Sequence, residues 1–304
     1  MNIEPLSLDQ LRVFLAVVAE GSFTGAARRV RRAQSAVSYA IAMLEQQLGL
    51  ALFDRSGPRP ILTEAGRALL VDAEALAGRA DALTARARAL AAGLEAEVGL
   101  VVDVMFPVEE LAAILADFQA AFPTVTARLY VETLGRVTQL VLEDTCAVGI
   151  QGTFPETPPA LESHVLRPLV MVPVAAPGHP LAAHRGTVPY EALRDAVQIV
   201  LTDRSSLTEG KDFNVVSARN WRVADLGAKH ALIRAGLGWG TLPAHLTDPE
   251  IAAGRLARLR VAHLAVEGDR LPLRAIRRRD RPPGPAARWL WDRLTALRGD
   301  AEGA

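Results

Sequence analysis

The sequence predicts a multidomain α+β chain in three parts: an N-terminal winged helix-turn-helix over residues 1–62, a long linker helix over 63–94, and a C-terminal α/β domain over 95–304. Three observations carry this. Two short helical patterns meet across an arginine-rich turn within residues 21–49, a proline-free alanine-rich stretch with leucines in heptads comes next, and beyond Gly93 strand and helix patterns alternate.

The first helix lies in PLSLDQLRVFLAVVAEGS, where Ser7 and Gln10 have capping-box spacing, Leu11, Phe14, Leu15 and Val18 form an apolar stripe, and Gly21 stops the helix. The second starts at Ser22, a good N-cap, and puts Phe23, Ala26, Ala27 and Val30 on one face. Arg28, Arg29, Arg31 and Arg32 make the turn. A third helix runs from about Gln34, with Val37, Ile41 and Leu44 inward and Gln34, Ser35, Ser38, Tyr39 and Ala42 on the opposite face. Small polar side chains let a helix backbone approach base edges, and Gln and Ser carry the donors and acceptors that read them. A polar face beside a charge run also fits a merely solvated surface. The segment after Gly49 separates the two readings. LALFDRSGPRPILT reads as two short strands around a Ser-Gly-Pro turn, a basic hairpin carrying Arg55 and Arg59.

The whole chain is neutral, with 34 basic and 34 acidic residues, so any basicity is local. Residues 1–62 hold Arg12, Arg28, Arg29, Arg31, Arg32, Arg55 and Arg59 against Glu4, Asp9, Glu20, Glu45 and Asp54, a net of two positive charges. That is modest for a DNA reader, and pairing two copies would double the phosphate contacts. The next segment offers the device. From Thr63, a plausible N-cap, through Glu95 there is no proline, and Leu69, Leu76, Leu83 and Leu90 occupy heptad d positions with Ala73, Ala80, Ala87 and Leu94 at a. Arg79, Arg86 and Arg88 lie outside that seam. The competing reading is one helix packed on its own domain.

In the C-terminal part, VGLVVDV reads as a buried strand, VEELAAILADFQAAFP as a helix ended by Pro123, VTARLYVET as a strand, LGRVTQLVLEDT as a helix and CAVGI as a strand opened by Cys146. The rhythm then loosens. VLRPLVMVPVAA is extended and proline-broken, YEALRD a short helix, AVQIVL a strand, and ADLGAKHALIRAG a helix bounded by Asp225 and Gly236. GWGTLP, LARLRV and LPLRAIRRR read as later strands, and PAARWLWDRLTALRG as a terminal helix.

The run GSFTGAARRV…AQSAVSYAIAMLEQQLGLALFDRSGPRPILTEAG resembles the N-terminal domain of LysR-type transcriptional regulators, and GLGWGTLPAHL resembles the second-lobe signature of their effector domain. The resemblance covers nearly the whole chain. It implies a periplasmic-binding-protein-like effector domain of two lobes, lobe I about 95–166 and 269–304, lobe II about 167–268. It implies that Gln34, Ser35, Ser38 and Tyr39 enter the major groove while Arg32, Arg55 and Arg59 meet phosphates. It further implies that Leu69, Leu76, Leu83 and Leu90 pair two subunits, giving a homodimer or homotetramer on double-stranded DNA. A small-molecule effector would sit between the lobes, near Met105, Phe106 and Pro107, Thr133 and Leu134, Gln151 and Gly152, and Thr202 and Asp203. Of these, Thr133 and Thr202 align best with ligand contacts in relatives, whereas Phe106 and Pro107 replace small or hydroxylated residues and hint at a less polar effector. Two further departures stand out. Ala33 replaces the Ser that often caps the recognition helix, giving up a cap worth ~1 kcal/mol, and Tyr39 stands where many members have Arg, His or Gln.

Other classes find little support. Cys146 is the single cysteine, and the six histidines, at 164, 179, 184, 230, 245 and 263, show no metal-ligand spacing. His230, inside a helix, reads as structural. No GxSxG, GxxxxGK[ST] or EF-hand pattern appears, and Gly236, Gly238 and Gly240 follow a helix, so they read as a turn and not a dinucleotide fingerprint. No catalytic role or cofactor is expected. A transporter-type binding protein is the alternative for the C-terminal part. The start MNIEPLSLDQ is neither basic nor apolar, no run has the length of a membrane span, and the expected compartment is the cytoplasm.

Overall fold

A computed structural model describes residues 6–152, 154, 156–262 and 269–297; His263 lies outside them. The chain divides into two compact units, 1–92 and 93–304.

The first unit contains α1 (Leu8–Glu20), α2 (Phe23–Val30), α3 (Gln34–Leu48), β1 (Phe53–Asp54), β2 (Ile61–Leu62) and α4 (Glu64–Ala91). Ser7 and Gln10 cap α1 reciprocally, and the Ser22 hydroxyl accepts from the Gly25 amide at 3.0 Å to start α2. Val13, Phe14, Val17, Ala26, Val37, Ile41 and Leu44 close one core from three helices. Phe53 enters that core edge-on to Phe14 and Phe23, which ties the hairpin to the helices. The hairpin pairs Phe53 with Leu62 and Asp54 with Ile61, leaving residues 55–60 as its tip.

The linker helix differs from expectation at both ends. Ala73 and Ala77 are buried and Leu69 packs partly against the unit's own core, so one face of the N-terminal half of α4 is spent on its own domain. The helix stops at Ala91, Gly93 comes next but one with φ +83°, and Leu94 packs against the core of the second unit instead of continuing the a positions. Leu76, Leu83 and Leu90 remain 46%, 70% and 45% exposed along the helix.

The second unit runs β3 (Glu97–Asp103), α5 (Val108–Ala121), β4 (Thr126–Glu132), α6 (Gly135–Leu142), β5 (Val148–Gln151), β6 (Leu161–Ala175), β7 (Thr187–Val188), α7 (Tyr190–Asp195), β8 (Val197–Leu201), β9 (Arg219–Val223), α8 (Leu226–Arg234), β10 (Trp239–Pro243), α9 (Ala244–Ala252), β11 (Ala257–Arg258), β12 (Arg260–Val261), β13 (Asp269–Arg278) and α10 (Pro285–Thr295). One continuous sheet has the order β4-β3-β5-β13-β6-β10-β8-β9, with β11 also on β6. Its two ends are parallel α/β layers, β3 with β4 and β5 at one and β8 with β9 and β10 at the other. The antiparallel pair β6–β13 joins them, so the sheet has two lobes strung on two crossing strands.

Several sequence expectations shift here. The segment read as proline-broken is one 15-residue strand, β6, because its prolines sit where the ladder tolerates a missing donor. Pro168 lies opposite Pro272, next to a register shift between Pro272 and Arg274, so neither strand offers an N–H at that pair. Cys146 precedes β5 instead of opening it: its amide donates to the Leu140 carbonyl at 3.1 Å, closing the end of α6. Gly238 and Gly240 are packing glycines and not a turn, since a Cβ would meet the carbonyl oxygens of Val197 at 2.5 Å and Ile199 at 2.8 Å; only Gly236, with φ +78°, turns the chain.

Gly66, in the first turn of α4, lies against the strand entry, where a Cβ would meet the Leu52 carbonyl oxygen at 2.2 Å. Backbone cannot yield as a flexible side chain can, so Gly66→Ala is expected to destabilise this unit by ~1–3 kcal/mol. Urea unfolding followed by far-ultraviolet circular dichroism reads it, and an unshifted midpoint would contradict this packing.

Candidate nucleic-acid interface and inter-lobe cavity

The recognition face forms at the N-terminus of α3. Ala33 supplies no side-chain cap, so the leading amides of α3 are open to an anion, where the helix dipole favours one. Gln34, Ser35 and Tyr39 are exposed, Tyr39 at 68%, and Ser38 is half-buried. Gln34 and Ser38 line one groove of about 270 Å³ with Arg55, Gly57 and Pro58, which brings the helix and the wing to a common surface. Glu45 organises the wing from α3. One of its oxygens accepts from the Leu52 and Phe53 amides at 2.8 and 3.1 Å, the other from Arg55 at 2.9 Å, and the Arg55 guanidinium lies 5.0 Å from the Phe23 ring centre.

The three nominated arginines differ. Arg32 is held by both oxygens of Asp9, at 2.6 and 2.9 Å, and this hydrogen bonding holds the Asp9 carboxyl below its usual range. Arg55 is shared with Glu45. Arg59, at the hairpin tip, is exposed with no hydrogen bond or ion pair among the described residues.

Between the lobes, the loops nominated from the sequence come together at Thr133, Leu134, Thr202 and Asp203, and their polar groups bond one another. The Thr133 hydroxyl donates to the Thr202 carbonyl at 2.9 Å, and the Asp203 carboxylate accepts from the Arg136 amide at 2.9 Å and from the Thr208 hydroxyl. These candidates therefore bind each other across the cleft, and Asp203 takes the anion position at the start of α6. Leu134, the residue before α6, has φ +49°, a strained conformation for a branched side chain, and lines the cavities on both sides of this bridge. Phe106 is core, Pro107 starts α5, and Gly152 is a close-packed position where a Cβ would lie 3.0 Å from Asp103 Cγ. Gln151 is spent on the Phe154 and Glu156 carbonyls.

Thr202 and Asp203 line a polar groove of about 620 Å³. Beyond the bridge lies a more apolar cavity of about 430 Å³, walled by Met105, Leu134, Met171, Leu201, Phe213 and Leu271. Lys229 of α8 also lines it and is 4% exposed, and its ammonium meets no hydrogen-bond or ion-pair partner among the described residues. Burial alone pushes it down to about 7. Sequence reasoning missed Lys229, although the signal was present. It is one of two lysines, and it sits three residues after Leu226 and four before Ile233, on the apolar stripe of its helix.

Cys146 is buried, and desolvation pushes its thiol up to about 12, so it carries no thiolate at neutral pH. Among the described residues, no group of three or more His, Cys, Asp or Glu is placed to hold a metal ion, and no helix is long and apolar enough to cross a membrane.

Comparison with known proteins agrees with this organisation. Residues 8–67 match the family described as bacterial regulatory helix-turn-helix protein, lysR family, and residues 91–298 match the LysR substrate binding domain. The HTH-type transcriptional activator AllS of Klebsiella pneumoniae is 30% identical over 258 residues, covering 83% of this chain and 94% of that protein. The RuBisCO operon transcriptional regulator of Allochromatium vinosum is 28% identical over 293 residues, 93% of each. Among solved structures, a Corynebacterium glutamicum OxyR C206 mutant shares the fold with a TM-score of 0.51 at 21% identity, covering 97% of this chain and 92% of that one.

The Lys229 shift makes stability depend on pH. The unfolded chain holds this proton up to 10.5, the folded chain only to about 7, so the unfolded state binds more protons between those values. Folding stability therefore rises with pH across that window, and the penalty is complete below it. Lys229→Met should raise the melting temperature most at pH 6, with the gain shrinking toward pH 10; a gain independent of pH would contradict the burial of an unpaired amine.

Proposed function

This chain belongs to the LysR family of bacterial transcriptional regulators, joining a DNA-binding helix-turn-helix to an effector-binding domain, and from that premise we propose how it acts. It binds an interrupted palindrome as a dimer or a dimer of dimers, under the control of a small molecule held between the lobes of its C-terminal domain. The observation that carries this reading is the shared groove of α3 and the wing, where Gln34 and Ser38 meet Arg55. A helix presenting short polar side chains beside a basic hairpin fits major-groove entry flanked by phosphate contacts. Gln34, Ser35, Ser38 and Tyr39 read bases, and Arg59 and Arg55 neutralise phosphates. Arg32 does so only by leaving Asp9, which charges its contact the loss of a two-oxygen ion pair.

Pairing of subunits rests on Leu76, Leu83 and Leu90, seven residues apart and exposed along α4; the seam starts at Leu76, since Leu69 is packed against the unit's own core. The sealed Cys146 favours ligand binding over thiol oxidation as the switch. A ligand shifts the balance only by its differential affinity for the two arrangements of the protein. A DNA partner places the protein's work in the cytoplasm.

Selection and sequencing of genomic fragments bound by the purified protein at physiological salt tests this reading. An interrupted palindrome is expected, and uniform recovery of fragments would overturn it. On that operator, Arg59→Ala should weaken binding evenly across sequences and lower the salt dependence by about one log unit per log unit for each subunit. Replacing Leu76 and Leu83 by Glu should halve the mass seen in light scattering, and an unchanged mass would refute the seam.

A further inference from the structure

We propose that the 430 Å³ cavity beyond the inter-lobe bridge takes a monoanionic carboxylic acid with an apolar body, its carboxylate on Lys229 and Thr241 and its hydrocarbon part against Met105, Leu134, Phe213 and Leu271. This deepens, and rests on, the reading of the space between the lobes as the effector site.

The chemistry is set by the groups that remain unpaired. Gln198 on the same wall is fully used: its amide donates to the Asn214 carbonyl at 2.8 Å, and its oxygen accepts from the amides of Val216 and Ser217 at 2.8 and 3.0 Å. Lys229 and Thr241 are 4% and 9% exposed, and neither side chain has a hydrogen bond among the described residues. A buried ammonium without a partner is costly, and an acid delivering one negative charge cancels it in the same apolar surroundings. One cation and one hydroxyl match one carboxylate. A dianion such as a phosphate monoester would need more positive charge than this wall holds. The two nearby helix starts that could supply it are filled, that of α6 by Asp203 and that of α8 by Asp225, whose carboxylate accepts from the Ala228 amide at 2.6 Å.

Among the described residues, two carboxylates that could compete for Lys229 are already paired. Asp212, also on the wall, is paired with Arg222 of β9 at 2.6 Å. Glu250 of α9 is taken by Arg255 at 2.7 Å, with His230 and Arg234 at 3.9 and 3.8 Å. Because the free amine holds its proton only to about 7, docking of a carboxylate at pH 8.5 draws a proton onto Lys229 from the buffer.

The test is calorimetry on the full-length protein with benzoate, phenylacetate and hexanoate, each beside its primary amide, in two buffers of different ionisation enthalpy at pH 8.5. At least one acid is expected to bind, its amide at least tenfold more weakly, with uptake approaching one proton per site. Lys229→Met should erase the preference for the acid and the proton uptake, its melt showing that it folds. If that variant does not fold, the acid and amide pairs on the natural protein decide alone. Amides binding as well as acids, binding without proton uptake, or no binding in either series would overturn the proposal. Neither result touches the operator selection, so loss of this inference and loss of the regulator reading are told apart.

Discussion

The antiparallel ladder between β6 and β13, from Leu161 opposite Arg278 to Met171 opposite Asp269, sets where the other strands of the main sheet of the effector-binding domain lie. On one side β5 pairs with the Arg274–Ile276 stretch and carries β3 and β4; beyond Met171, β6 turns its edge to β10, which carries β8 and β9. Each α/β layer buries its strands under its own helices, but only these two strands belong to both. The cavity sits where the ladder passes from one layer to the other, and Met171 and Leu271, one from each strand, form part of its wall. The ligand space is thus a by-product of how the sheet is continued.

Polar closure of that space is divided between two kinds of group. Thr133, Thr202, Asp203 and Thr208 satisfy one another, and the Asp203 carboxylate does for α6 what a bound anion would do. Lys229 and Thr241, on the cavity wall beyond the bridge, have no such partners among the described residues. In a medium of low polarity a satisfied network fixes geometry, whereas an unpaired charge raises the energy of the empty state. Affinity for a compensating charge is therefore built into the ligand-free protein.

Much of the DNA-binding unit was legible in the sequence, because its helices are short, amphipathic and marked at their ends: Ser7 with Gln10, Ser22, Gly21 and Gly49 all act where local spacing puts them. The double role of α4 was not, since a heptad of leucines cannot show that Ala73 and Ala77 are buried while Leu83 is exposed. Strand and helix alternation announced the effector-domain layers, but the loops at strand ends gave only the neighbourhood of the cleft. Which side chains face empty space depends on contacts between residues far apart in sequence, such as Thr133 with Thr202. Phe106 and Gly152 were drawn into packing for the same reason, and Lys229 was overlooked because a lysine within an amphipathic helix ordinarily reads as solvated.

The facing pair Pro168 and Pro272 has one more consequence. A ladder resists twisting through its rungs, and here two imino acids remove both donors at one rung, beside an irregular step in register. Fewer donors there leave the ladder less resistant to twist at that rung than where both strands offer an N–H. Any reorientation of the two layers would be taken up most readily about this short stretch. Cavity walls can diverge to suit a new ligand without altering the mechanics by which occupancy becomes an angle.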